Sequence, residues 1–264
     1  MRIKVLGSRG SMPVSGSRFQ EFGGATSCYL IETESHAIYL DAGSGIMDSP
    51  KIPDKELLIF LTHPHLDHLL GLPFFPMLSE QDRHIIMYSM NRDGVSTKDQ
   101  VDYIFSGPAW PLQMENYPSD LVYEDLPDDY HMEVGDIKIS WMEGNHPRGS
   151  LIYKVEADGK ALVYATDYEH SDASDQRLID FAKGCDLLIY DGQYTEEEYE
   201  ARVGFGHSTK QHGIDIFKKC EAKKLLFTHH DPMHSDGVLK LQESKIQGKN
   251  ENISLARAGE VIEL

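Results

Sequence analysis

Cysteine is scarce: the 264 residues contain three, Cys28, Cys185 and Cys220. That odd number, at no metal-like spacing, argues against a disulfide framework and points to a reducing compartment. Positive charge is scarce too, with 25 Lys and Arg against 43 Asp and Glu and a formal net charge of −18. Affinity for a long polyanion rests on neutralising its phosphates with Lys and Arg, so this balance argues against a long nucleic acid as partner. A small charged substrate stays compatible, because metal cations can reverse the field inside one cleft. No apolar run reaches the roughly 18 residues of a membrane span. The opening MRIKVLGSRGSMP starts as a strand and turns polar and Gly-rich without the apolar centre of a signal peptide. These absences predict a soluble, cytoplasmic protein, and a 40% hydrophobic content is ample for a packed core.

Short apolar runs recur between turn signals: IKVLG, SCYLIET, AIYLDAG, LLIFLTH, HIIMYS, IKISWMEG, SLIYKVEA, ALVYATD, DLLIYDG and KLLFTHH. Their length and their Val, Ile and Tyr content predict strands. Helical spacing falls roughly at 66–79, 97–105, 173–183, 195–202, 208–222 and 236–246. A strand-rich first half followed by alternating helix and strand predicts a layered α/β or α+β fold over one domain, 1–264. The pattern weakens at about 90–135, where SGPAWPLQMENYPSDLVYEDLPDDY reads as an insertion, either a lid or a surface excursion.

Five of the runs end in a potential metal ligand. LLIFLT leads into His63, His65, Asp67 and His68, and IKISWMEG into Asn145 and His146. ALVYAT leads into Asp167, DLLIY ends in Asp191, and KLLFT leads into His229 and His230. Strand ends converge when strands share a sheet, and a mixture of imidazole and carboxylate suits Zn²⁺, Mn²⁺ or Fe. Placing the polar groups of THPHLDH beside an apolar strand would be costly unless a metal or full hydrogen bonding satisfied them. His36, His84 and His131 are read as ordinary side chains and His230 as a packing residue.

With those residues in place, the chain resembles the metallo-β-lactamase superfamily, whose members share a four-layer αββα sandwich with a two-metal site on one edge. THPHLDH matches that family's HxHxDH, and the other ligands follow in order through to ISLARAGEVIEL. The resemblance implies two divalent ions. His63, His65 and His146 would hold the first, Asp67, His68 and His229 the second, and Asp167 of ATDYEH would bridge both. An aspartate at the bridging position is similar to the phosphodiesterase, tRNase Z, glyoxalase II and lactonase branches rather than to the zinc β-lactamases.

The stretch GFGHST resembles the tRNase Z and phosphodiesterase branch, in which a histidine acts near the leaving group. By that resemblance His207 is the general acid and Asp191 its orienting carboxylate, a place where the family usually has glutamate. The alternative for this stretch is a helix cap at Ser208 or Thr209. The implied activity is hydrolysis of a small phosphodiester, such as a cyclic nucleotide, by a metal-bridging hydroxide that Asp67 orients. Two rivals share the ligands. One is tRNA 3′-end processing, although that family grips tRNA with a basic arm and the nearest basic run here, KKCEAKK, reads as a solvated helix face. The other is a glyoxalase II-like thioester or lactone hydrolase. Related phosphodiesterases are often homodimers. Arg9 of GSRGS and Arg148 are candidate phosphate contacts, and Phe74 and Phe75 are expected in the core.

Overall fold

In a computed structural model, which describes residues 1–53, 55–247 and 250–264, two mixed sheets lie face to face. Strands are numbered in chain order. The first sheet contains β1 (Arg2–Gly7), β2 (Cys28–Glu32), β3 (His36–Leu40), β4 (Glu56–Phe60), β5 (His84–Ser89), β6 (Asp120–Asp125) and β14 (Val261–Glu263), in the spatial order β14-β1-β2-β3-β4-β5-β6. The second contains β7 (His131–Val134), β8 (Ile137–Gly144), β9 (Ser150–Ala157), β10 (Lys160–Ala165), β11 (Leu187–Asp191), β12 (Leu225–Thr228) and β13 (Ile253–Leu255), in the order β13-β12-β11-β10-β9-β8-β7. In each sheet one half is antiparallel and the other parallel, from β3 to β6 and from β10 to β13.

Three apolar cores separate four layers, the αββα arrangement. Between the sheets, Ile3, Tyr29, Ile38 and Phe60 meet Ile139, Leu151, Tyr153 and Tyr164. The outer face of the first sheet packs Leu30, Tyr39 and Ile59 on Leu69, Phe75 and Val101. The outer face of the second packs Val163, Leu188 and Phe227 on Leu178, Ile216 and Leu239. These last three residues come from the helices α3 (Asp172–Phe181), α5 (Lys210–Cys220) and α6 (Asp236–Gln247), which follow α1 (Leu66–Leu69) and α2 (Thr97–Ile104), with α4 (Glu196–Tyr199) between α3 and α5. Strands covered on both faces are apolar up to their last residue, as LLIY of β11 and LLF of β12 are, which is why they stand out in the sequence. No helix among the described residues is long and apolar enough to cross a membrane.

One expectation needs correction. The helix expected over 66–79 stops after Leu69, and tight turns at Leu72–Phe74 and Pro76–Ser79 follow. Pro73 and Pro76 lack the N–H that would continue an α-helix and clash with the preceding turn. Within the 90–135 stretch, α2 lies where the helical spacing at 97–105 places it, and β6 and β7, which the apolar runs do not mark, are edge strands of the two sheets. Each edge strand has few buried side chains, so its apolar signal is faint.

The Asp236 carboxylate opens α6 and accepts the N–H groups of Gln20, Glu21 and Phe22 at 2.7, 2.9 and 3.2 Å. Burial alone would raise its pKa, but those N–H groups and Arg9 hold it below the usual carboxylate range. Such a group adds stability above the unfolded carboxyl pKa of about 3.9, and that stability is lost as pH falls through the lower folded value. Asp236→Asn should therefore cost about 1 kcal/mol at neutral pH by denaturant titration and flatten the acid limb of the stability curve.

Candidate metal centre

The chemistry-bearing residues gather where the parallel strands end. Asp41 follows β3, His63 follows β4, Asp167 follows β10, Asp191 closes β11 and His229 follows β12. Carboxyl ends of parallel strands are the usual ligand side of a mixed sheet. Three of these residues, Asp41, Asp167 and His229, take left-handed backbone angles, with φ of 63°, 51° and 58°. That conformation is costly for a residue with a side chain, and it clusters where a structure holds groups in a fixed place.

Among the described residues, one ligand-like cluster consists of His63, His65 and His146 and a second of Asp67, His68, Asp167 and His229, while His207 forms two smaller groupings, with His146 and Asp167 and with Asp191 and His229. In the first, Nδ1 of His65 lies 2.8 Å from Nε2 of His63 and 3.3 Å from Nε2 of His146. In the second, Oδ2 of Asp167 lies 3.1 Å from Nε2 of His68 and 3.2 Å from Nε2 of His229. Its other oxygen, Oδ1, lies 3.8 Å from Nε2 of both His63 and His146. Asp167 thus turns one oxygen toward each cluster.

A pair of divalent cations fits these residues. The outer nitrogens of several rings are already engaged: Nδ1 of His68 with Asp41 at 2.7 Å, of His146 with the Gly206 carbonyl at 2.9 Å, and of His229 with Gln193 Oε1 at 2.9 Å. Those acceptors fix the ring orientations through Nδ1 and turn Nε2 inward, as metal-ligating imidazoles require. Nε2 of His68 is buried and makes no hydrogen bond, although carboxylate oxygens lie 3.1 and 3.3 Å away. Burial, reinforced by the His68 charge, pushes His63 well below the usual imidazole range, so it is neutral and free to ligate. Burial works against charge on Asp67 and Asp167 as well. Nevertheless His68 and His229 hold both well below the usual carboxylate range, so both carboxylates are ionised.

His207 stands beside this centre, 7% exposed, with Nδ1 2.9 Å from Asp191 Oδ2 and 3.9 Å from Asp167 Oδ1. Its ring stacks on His229 at 4.7 Å. The aspartate reaches His207 although its side chain is shorter than glutamate's. Thr209, rather than His207, caps α5 by accepting the His212 N–H.

Other sequence expectations change. Arg9 cannot meet a substrate, because its buried guanidinium donates to the carbonyls of Gly23, Asp231 and His234. The GSRGS loop instead covers the second cluster. The Ser11 N–H donates to Asp67 Oδ2 at 2.7 Å, and a Cβ on Gly10 would sit 2.2 Å from His229 Nδ1. Phe75 is buried against Tyr39, but Phe74 is 58% exposed and packs edge-to-face with Trp110, since the turn at Pro73 carries it away from the core. Arg148 is exposed. His230 is buried, donating from one ring nitrogen to the Ala256 carbonyl.

Sequence reasoning misses Asp41, whose oxygens accept from Thr62 N–H and Oγ1, Tyr164 and His68. The signal is present, because AIYLD ends in an acid as ALVYATD does. Tyrosines of the inter-sheet core also reach the strand ends: Tyr164 at Asp41, Tyr153 at the Leu61 carbonyl and Tyr29 at Thr228. They tie the ligand-bearing ends together across the layers.

Comparisons with known proteins agree with this fold. Ribonuclease Z of Nitrosopumilus maritimus (strain SCM1) is 22% identical over 288 residues, spanning 93% of this chain and 94% of its own. The crystal structure of the metallo-beta-lactamase fold protein YhfI from Bacillus subtilis superposes with a TM-score of 0.76 at 18% identity, covering 100% of this chain and 99% of that one. A diphosphatase from the PhnP family superposes with a TM-score of 0.70 at 20% identity, covering 100% and 98%. At such identities the structural likeness shows the fold. The family described as the beta-lactamase superfamily domain matches residues 24–230. The chain therefore belongs to the beta-lactamase superfamily.

Proposed function

We propose that this protein is a phosphodiesterase for small diesters, such as a cyclic nucleotide or a short nucleotide diester. In this reading His63, His65 and His146 hold one divalent ion, Asp67, His68 and His229 hold a second, and Asp167 bridges them. Zinc suits the donor set, with manganese or iron as alternatives. The observation that carries the reading is the His207–Asp191 pair, buried beside the bridging carboxylate. Attack on a carbonyl of an activated ester needs no such proton donor, whereas expulsion of an alkoxide from phosphorus does.

Ions bound here supply Lewis acidity to the phosphoryl oxygens and bring the acidity of water toward neutrality. Asp67, fixed by the Ser11 N–H, aligns the attacking water. His207 gives its Nε2 proton to the leaving oxygen while its Nδ1–H stays on Asp191, which steadies the imidazolium. The products are a phosphomonoester and an alcohol.

The charge supports a small substrate. The net charge of −18 repels a long polyanion. Arg9 and Arg92, the latter donating to the carbonyls of Thr62, Arg148 and Gly149, are spent on their own chain. A second reading, tRNA 3′-end processing, is favoured by the relatives named ribonuclease Z. Offering the purified protein a 3′-extended tRNA precursor alongside cyclic nucleotides and bis-p-nitrophenyl phosphate separates the two. The proposal expects the higher kcat/KM on small diesters, and preferred cleavage of the precursor would replace it with the second reading.

A further inference from the structure

Among the carboxylates near the centre, Glu169 belongs to neither ligand cluster, and it does not bond His207. It is 7% exposed, and no ion pair to it is found among the described residues. Its oxygens are spent on one turn. Oε1 accepts the Gly204 N–H at 2.6 Å and the Tyr199 hydroxyl at 2.8 Å, and Oε2 accepts the Gly206 N–H at 2.9 Å. Both glycines are left-handed, with φ of 88° and 91°, a conformation that their lack of a side chain permits but does not impose. Something outside the turn must select it.

The turn leads directly to the centre. The Gly206 carbonyl accepts from Nδ1 of His146, and a Cβ on Gly206 would lie 2.1 Å from that nitrogen. His207 is the next residue. The backbone of Glu169 is tied to the other side of His146, because its N–H donates to the Asn145 carbonyl and its own carbonyl accepts from Asn145 Nδ2, both at 2.8 Å. Glu169 also lies two residues beyond Asp167. One residue, through its side chain on the 204–206 turn and its backbone at Asn145, therefore joins the loops that present His146, Asp167 and His207.

We infer that Glu169 is a positioning residue, a carboxylate latch that sets the direction of the His146 lone pair and the place of His207 through the 204–206 turn. A buried carboxylate costs more desolvation than an amide of the same shape, and what it adds is the capacity to accept from both glycine N–H groups at once. In Glu169→Gln the amide keeps one acceptor oxygen and turns an NH₂ toward the other N–H, so one of the two glycine bonds is lost. Tyr199→Phe removes a bond to the same carboxylate and leaves both glycine bonds, which makes it the matched control.

The inference rests on the proposed function only for its catalytic arm, so two readouts are used. The first needs no substrate. Competition with a chelator for Zn²⁺ or Mn²⁺ should show metal affinity lowered about tenfold or more in Glu169→Gln, the loss typical of an outer partner of a metal-bound histidine, and within about twofold of wild type in Tyr199→Phe. The second compares bis-p-nitrophenyl phosphate, whose leaving group departs without a proton, with diphenyl phosphate, whose leaving group needs one. The kcat ratio should rise about tenfold or more in Glu169→Gln, because His207 is misplaced. A Glu169→Gln protein with a lowered melting temperature but wild-type metal affinity and an unchanged ratio would reduce Glu169 to a fold pin and overturn the inference. If wild type cleaves no diester, the proposed function falls, and the metal-affinity comparison still decides the role of Glu169.

Discussion

His207→Ala is expected to lower kcat on diphenyl phosphate by about 10²–10⁴-fold, the range that a positioned general acid contributes. On bis-p-nitrophenyl phosphate the loss should be far smaller, because p-nitrophenolate leaves without protonation. Metal content should match wild type, because the proposed assignment gives both ions their ligands without His207. Asp191→Asn should follow the same pattern. Its carboxylate lies 2.9 Å from Nδ1 of His207, and an amide there can no longer stabilise an imidazolium by charge. Equal losses on both diesters, together with lost metal, would make His207 a ligand, a role for which its nearness to His146 and Asp167 leaves room.

Asp167→Ala should have the largest effect on metal retention. Its two oxygens face separate clusters, so one substitution removes a donor from both, and affinity should fall by at least about 100-fold, the upper end of what an outer-sphere partner alone contributes. Thermal melting with and without chelator checks this. A protein that binds metal in its folded state is stabilised by mass action, so wild type should lose melting temperature on chelation and Asp167→Ala should not respond. A variant that still responded fully would remove Asp167 from the bridge.

Much of this centre is legible in the sequence, for a physical reason. Strands covered on both faces must be apolar throughout, so a polar residue ending such a run stands out, as His63 after LLIFLT and Asp167 after ALVYAT do. What the chain hides is the support. Asp41 ends its strand with the same signal, but its role as the acceptor of His68 depends on β3 lying beside β4, which periodicity does not reveal. Gln193, holding His229, and Glu169, holding a glycine turn, are contacts between segments distant in the chain. Arg9 misleads for the opposite reason: a guanidinium in a Gly-Ser loop suggests an anion, and the three carbonyls that occupy it come from farther along its own connection, at Gly23, and from the loop after β12, at Asp231 and His234. The edge strands β6 and β7 escape notice because a half-buried edge needs few apolar residues.

Whether paired metal clusters and a histidine acid serve phosphodiester hydrolysis is decided by stripping the protein with chelator and titrating Zn²⁺ or Mn²⁺ back. Turnover of bis-p-nitrophenyl phosphate and of a thioester is followed in parallel. Diester turnover should rise until two ions are bound per chain and then level off, with no comparable thioester cleavage. Thioester turnover alone, or full diester activity with a single ion bound, would contradict the proposed function.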